Sequence, residues 1–188
     1  MIAIVDYKAG NLTSVKLALG YLGVDCQITH DPDVIRGAER VIFPGDGAAA
    51  AAMEHLNELR LLAPLKDAIA KGTPTLGICT QVICDWSDED GGVPCMGLLP
   101  GKVKKFIAPD PLCKIPQMGW NTMKFARKHP LFEGIEDDSE FYFIHSYYPV
   151  PESRDLVMGE TQYADATFAS AVGKDNLFAT QFHPERSG

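Results

Sequence analysis

Apolar and polar positions alternate along the chain in two distinct regimes. In the first 80 residues, short apolar runs are followed by stretches with helical spacing. Ile2–Val5 is a compact apolar run that ends at Asp6, the pattern of a buried parallel strand. Leu12, Val15, Leu19 and Leu22 follow at helical spacing, and Gly23 stops that helix. Val24–Thr29 predicts a second strand and Asp31-Pro32-Asp33 a brief helical turn. Val41–Phe43 predicts a third strand, closed by Pro44-Gly45. The Ala-rich stretch 48–70 predicts one helix or two, and Thr75–Ile78 a fourth strand. Strands alternating with helices imply a parallel sheet with right-handed crossovers.

The second regime has few helical patterns. Lys102–Phe106, Phe141–Tyr148, Leu156–Gln162, Phe168–Val172 and Leu177–Phe182 are strand-like. Segments 107–116 and 126–139 carry the Pro, Asp and Gly of loops. The expected fold is therefore α/β: an open, mostly parallel, flavodoxin-like sheet flanked by helices, with an antiparallel or mixed extension in the C-terminal half. No internal repeat or low-complexity linker interrupts it, and one domain over 1–188 is expected. Ligands of such sheets sit beyond the carboxyl ends of the parallel strands. Four turns leave those ends, at Asp6–Asn11, Pro44–Gly47, Cys79–Gln81 and after Phe182, and they should converge.

Composition narrows the function. A net charge of −8 argues against nonspecific nucleic-acid binding, which needs clustered Lys and Arg. The five cysteines lack zinc-like spacing and form no even disulfide framework, so reduced thiols in a cytoplasmic setting are expected. No apolar run approaches the length of a membrane span, and Asp6 comes too early for a signal peptide.

The candidate chemistry sits on the four turns. Cys79 ends the strand Thr75–Ile78 and is expected to open a helix, whose N-terminus would stabilise a thiolate. Gly77 leaves room for a sharp turn, as in nucleophile elbows. A thiolate needs a base, and a base needs an orienting group. "QFHPERSG" at 181–188 offers both, with His183 at a strand end, Pro184 fixing the chain and Glu185 two residues on. In "FPGDG", Pro44 and the glycines Gly45 and Gly47 permit a backbone that aims N–H groups at one point, an oxyanion hole shared with Thr80. His145 in "FIHSYY" reads as structural, since a second base is not required. Cys84, Cys95 and Cys113 read as core or loop thiols, and Asp88-Glu89-Asp90 as a solvated acidic loop.

Taken in order, "DYKAGNLTSV", "PGDGAAAAAM", "GIC", "DEDGG", "GLLPGKV", "IPQMGWN", "FYFIHSYY" and "QFHPERSG" resemble the class I, or triad, glutamine amidotransferases over almost the whole chain. "MGWN" followed by "FYFIHSYY" is similar, within that family, to the glutaminase subunits of imidazole glycerol phosphate synthase. The resemblance implies a Cys79–His183–Glu185 triad that hydrolyses L-glutamine. It implies glutamine contacts from Gly45, Gly47, Gln81, Ser146 and Tyr147. It also implies a heterodimer with a TIM-barrel cyclase subunit that receives the ammonia in histidine biosynthesis. The partner surface is expected to include Asn11, Gln117, Trp120, Asn121 and Arg186, in loops that the alternation places at the same end of the sheet as Cys79. No cofactor, metal, nucleic acid or membrane is implied. Two alternatives stand beside this: a degenerate subunit that docks but hydrolyses little, and an amidotransferase feeding a different acceptor, such as a surface-polysaccharide sugar.

Four departures from the family pattern fall in functional loops. The family elbow reads like G-I-C-x-G-x-Q. Here Gln81 stands in the Gly position, as though two residues were absent, and on a helix its side chain would point about 200° from the expected direction. Asp46 replaces an apolar residue and Lys8 a Gly. The family pattern also implies a last helix beyond Gly188.

Overall fold

The computed structural model describes residues 1–45, 47–79 and 81–187. The chain begins with β1 (Ile2–Val5), α1 (Leu12–Tyr21), β2 (Cys26–Thr29), α2 (Pro32–Gly37) and β3 (Arg40–Pro44). It continues through α3 (Ala49–Glu58), α4 (Leu62–Ala70) and β4 (Thr75–Ile78). Then come the short β5 (Trp86–Ser87) and β6 (Val93–Pro94), followed by β7 (Gly101–Lys105), β8 (Gln117–Phe125), β9 (Ser139–His145) and β10 (Tyr147–Pro151). β11 (Val157–Tyr163), β12 (Ala166–Lys174) and β13 (Leu177–Thr180) complete the strands.

Among the described residues, nine strands form one sheet in the order β2-β1-β3-β4-β13-β12-β11-β8-β9. β2, β1, β3, β4 and β13 run parallel. β12, β11, β8 and β9 extend the sheet antiparallel. A second sheet, β10-β7-β5-β6, packs beside it.

Strand alternation divides the core. Ala3, Val5, Val41 and Phe43 face α3 and α4, where Leu56, Leu61 and Leu65 are fully enclosed. Ile4, Ile42 and Ile78 face the other way, towards Val15 of α1. Under the antiparallel extension, Phe106, Phe143, Phe168 and Phe182 make an aromatic core.

Three expectations are corrected. The stretch after Cys79 is no helix but a single 3-10 turn, Gln81–Ile83, because β5 begins at Trp86 and leaves no length for more. Cys79 therefore lacks the dipole of a full helix. Residues 141–148 are not one strand. Ser146 is a crossing point between sheets, its carbonyl taking the Phe106 N–H at 3.0 Å while β9 ends and β10 begins. Finally, "QMGWNTMKF", which lies outside the strand-like runs expected from the sequence, is a full strand, β8.

Candidate active site

The four turns converge as the alternation requires. Gly10, Asn11, Gly47, Cys79, Gln81, His183 and Arg186 line one cleft of about 490 Å³. Its far wall is Ile144, His145, Ser146 and Tyr147, from the crossing between the two sheets, and Glu89 closes one side.

Cys79 has φ of +53°, a left-handed conformation that a non-glycine residue adopts only when its surroundings hold it. They do: its N–H donates to Thr180 O at 2.7 Å, tying the elbow to the end of β13. Its half-buried Sγ accepts from Gln181 Nε2 at 3.4 Å. His183 leaves the end of β13 and is 7% exposed. Its Nδ1 meets Glu185 Oε1 at 2.9 Å, and the Glu185 side chain is 3% exposed. Pro184 opens the 3-10 turn that folds Glu185 back under the ring. His183 Nε2 is buried and makes no well-aligned hydrogen bond among the described residues. Burial pulls the His183 pKa down, but the Cys79 and Glu185 side chains pull harder and raise it to about 10. The imidazole is thus electrostatically engaged with the sulfur although no hydrogen bond of good geometry joins them, a looseness common in unliganded sites.

The oxyanion-hole expectation changes. Gly45 N–H is committed to Ile78 O at 2.6 Å, in register with the β3–β4 pairing, so it cannot point at substrate. Gly47, with φ of +81°, lines the cleft. Asp46 and Thr80 lie outside the described residues. Lys8 takes φ of +66°, which explains why glycine suits that position, and its ammonium pairs with Glu58 at 2.8 Å.

Gln81 does not point away. The 3-10 turn returns its side chain to the cleft wall, where Nε2 donates to Tyr147 O and to Gln181 Oε1 at 2.8 Å. Glu89, read from sequence as solvated, is instead a cleft residue. Its Oε2 accepts the Ala49 N–H at 2.6 Å, doing at the start of α3 what the Ala48 side chain cannot. A long-range contact between an acidic run and an Ala-rich helix start carries no local sequence signal.

The residues expected to meet a partner divide. Asn11 and Arg186 are joined at the cleft mouth: with its amide oxygen turned to Arg186, Asn11 accepts from Nη2 at 2.6 Å and Nε at 3.1 Å. Trp120 is 55% exposed and shares the outward face of β8–β9 with Met118, 62% exposed, and Ile144. Gln117 and Asn121 occupy the opposite face of β8. Gln117 is 3% exposed, and Asn121 Nδ2 is tied to Gln162 O at 3.0 Å.

Comparison with known proteins now bears on this geometry. The model of the family "Glutamine amidotransferase class-I" matches residues 3–188. The chain belongs to the class I glutamine amidotransferases. Within the family it is 45% identical over 190 residues to a Nitrosococcus oceani protein named imidazole glycerol phosphate synthase subunit HisH, covering 99% of this chain and 90% of the relative. A Dehalococcoides mccartyi protein of the same name is 46% identical over 190 residues, covering 100% and 91%. Among solved structures, the amidotransferase fold recurs in PurLQS from Thermotoga maritima, with TM-score 0.75 and 18% identity over 98% of this chain and 87% of that one. A crystal structure titled glutamine amidotransferase gives TM-score 0.74 and 17% identity over 98% and 91%. Every amidotransferase residue singled out above lies within the matched span.

Proposed function

We propose that this amidotransferase is the glutaminase subunit of an imidazole glycerol phosphate synthase, with Cys79, His183 and Glu185 as its triad. The carrying observation is the Glu185–His183 contact beside Cys79, with the His183 pKa raised by both neighbours. His183 is then an imidazolium at neutral pH, ready to act as an acid. The Cys79 thiolate attacks the glutamine carboxamide carbon, and Gly47 lies where it can face the oxyanion. The tetrahedral intermediate collapses with cleavage of the C–N bond. His183 gives its proton to the leaving nitrogen, which departs as ammonia. The glutamyl thioester that remains carries no charge on sulfur, so one of the two influences raising the His183 pKa is gone. The imidazole can now accept a proton from water, which attacks the thioester and releases glutamate and the Cys79 thiolate. Glu185 keeps Nδ1 protonated and Nε2 aimed at the reaction throughout.

The cleft suits an amino-acid zwitterion. Glu89 offers a carboxylate to the α-ammonium, while Ser146, Tyr147 and Gln81 form the polar wall for the remainder. The ammonia goes to a cyclase subunit of TIM-barrel type in a heterodimer, in the cytoplasm. The test is glutamate release from glutamine, alone and with that subunit. Wild type should release glutamate, and Cys79→Ala should release none. A wild-type protein that binds the partner yet releases no glutamate would establish the second reading, a docking subunit that hydrolyses little. The loss of the Gly45 N–H from the oxyanion hole favours that reading.

A further inference from the structure

Two amide side chains carry an unbroken run of hydrogen bonds from the crossing between the two sheets to Cys79. Its fixed end is the Tyr147 carbonyl, which takes His145 Nδ1–H at 2.7 Å and Gln81 Nε2–H. Gln81 Nε2 donates a second time, to Gln181 Oε1 at 2.8 Å. Gln181 Nε2 donates in turn to Cys79 Sγ at 3.4 Å. This order has only one direction. A backbone carbonyl can only accept, so Gln81 has to turn its NH2 group towards Tyr147. The same NH2 group faces Gln181, which has to answer with its oxygen. The Gln181 NH2 group is then left for the sulfur. Gln181 is 4% exposed, and its backbone N–H is held by Ser170 O at 2.8 Å. Thr180, the residue before it, takes the Cys79 N–H at 2.7 Å. The end of β13 therefore grips Cys79 twice, by backbone through Thr180 and by side chain through Gln181.

We propose that Gln181 is a further catalytic residue, an N–H donor that stabilises negative charge on Cys79 Sγ, and that Gln81 is its positioning residue. A hydrogen bond to a charged acceptor is stronger than one to a neutral acceptor, so this bond favours the thiolate over the thiol. It acts where a full helix dipole is missing, since only the 3-10 turn Gln81–Ile83 follows the elbow. The amide does not titrate, so its support is the same at every pH, unlike that of His183. The bond weakens while sulfur is held in the thioester and strengthens as the thiolate departs, which assists release of glutamate. Gln81 stands where the family elbow carries glycine, and a glycine has no side chain with which to hold Gln181. The network is thus built on one of this chain's departures from the family pattern.

The catalytic meaning of this network rests on the glutaminase reading, but its test does not require hydrolysis. Iodoacetamide labels thiolates, and mass spectrometry follows each cysteine separately as pH is varied. Cys79 lines the cleft and is open to the reagent. Half-buried Cys26 and Cys113 are internal controls in the same sample. Gln181→Met removes the donor, and the Cys79 labelling profile should move to higher pH by about one unit, a tenfold change in the ratio of thiolate to thiol. Gln181→Glu keeps the shape and the acceptor for Gln81 but turns an oxygen to the sulfur, and should move the profile further. Gln81→Met leaves β13 intact and frees the Gln181 amide to face either way, so the same ratio should fall about twofold. Profiles of Cys26 and Cys113 should stay in place. A Cys79 profile at the wild-type position in both Gln181 variants overturns the proposal, and means that Gln181 only fills space. Movement of the control cysteines together with Cys79 also overturns it, as general loosening of the fold. A wild-type profile in Gln81→Met overturns the positioning role of Gln81. Glutamate release by wild type is measured alongside. Its absence would refute the glutaminase reading, whereas unmoved profiles beside normal release refute the role of Gln181 alone.

Discussion

At the scale of single residues, charge on Cys79 controls the proton affinity of His183. Cys79→Ala removes one of the two influences that raise the His183 pKa. The ring should then titrate at clearly lower pH, measurable by NMR of the imidazole protons. An unchanged midpoint would mean that Glu185 alone sets it. His145 gives a second prediction of opposite sign. Its folded pKa, about 4, lies below the ordinary 6.5, so the unfolded chain binds the extra proton first. Its contribution to stability is complete above 6.5 and is lost as pH falls from 6.5 towards 4. Over that window wild type should lose about 3 kcal/mol more than His145→Phe, read from urea midpoints. Equal slopes would show that burial does not hold this ring neutral. The His183–Glu185 contact was legible because Pro184 makes the two residues a local unit. Glu89 was not, because its meaning lies in a bond to Ala49 forty positions away. Gly45 misled for a related reason: a flexible glycine suggests a free N–H, and only the sheet register shows it already committed.

At the scale of elements, α3 begins without a side-chain cap of its own, and Glu89 supplies the acceptor from a different part of the chain. Glu89→Ala should cost about 1 kcal/mol of stability, as loss of a cap does. Glu89→Gln keeps a carbonyl oxygen for the Ala49 N–H but removes the negative charge. It should hold most of the stability while raising KM for glutamine. If both substitutions change stability and KM alike, Glu89 is a structural clamp with no part in binding. β1, β3 and β4 were legible because each is a largely apolar run bounded by turn residues and mostly buried. β8 was not: along Gln117–Phe125 only Gln117 and Met123 are fully buried, and the first of them is polar. The helix expected after Cys79 failed because the elbow is short, and local propensity carries no information about how soon β5 must start.

At the scale of the molecule, the cleft opens at the end of the sheet where β8 begins and β9 ends. The exposed strip there is Met118, Trp120 and Ile144, and Ile144 is shared with the cleft wall. Trp120 also packs edge-on against Tyr142, with centroids 6.1 Å apart, which holds the indole outward. Under the proposed transfer of ammonia, loss to bulk water is avoided if the synthase partner covers this end, and a stable cover needs at least about 1,200 Å² of total buried surface. A rigid exposed tryptophan at the centre of such a face is the kind of residue that dominates binding, at about 2 kcal/mol or more. Trp120→Ala should therefore weaken association with the cyclase about thirtyfold, measured by titration calorimetry. Tyr21, 92% exposed at the far end of α1, is the control, because α1 starts at the cleft and runs away from it. Tyr21→Ala should leave the affinity unchanged. If Trp120→Ala binds as wild type does and Tyr21→Ala does not, the partner sits on the α1 end. The cleft would then open to solvent, and direct transfer of ammonia would fail with it.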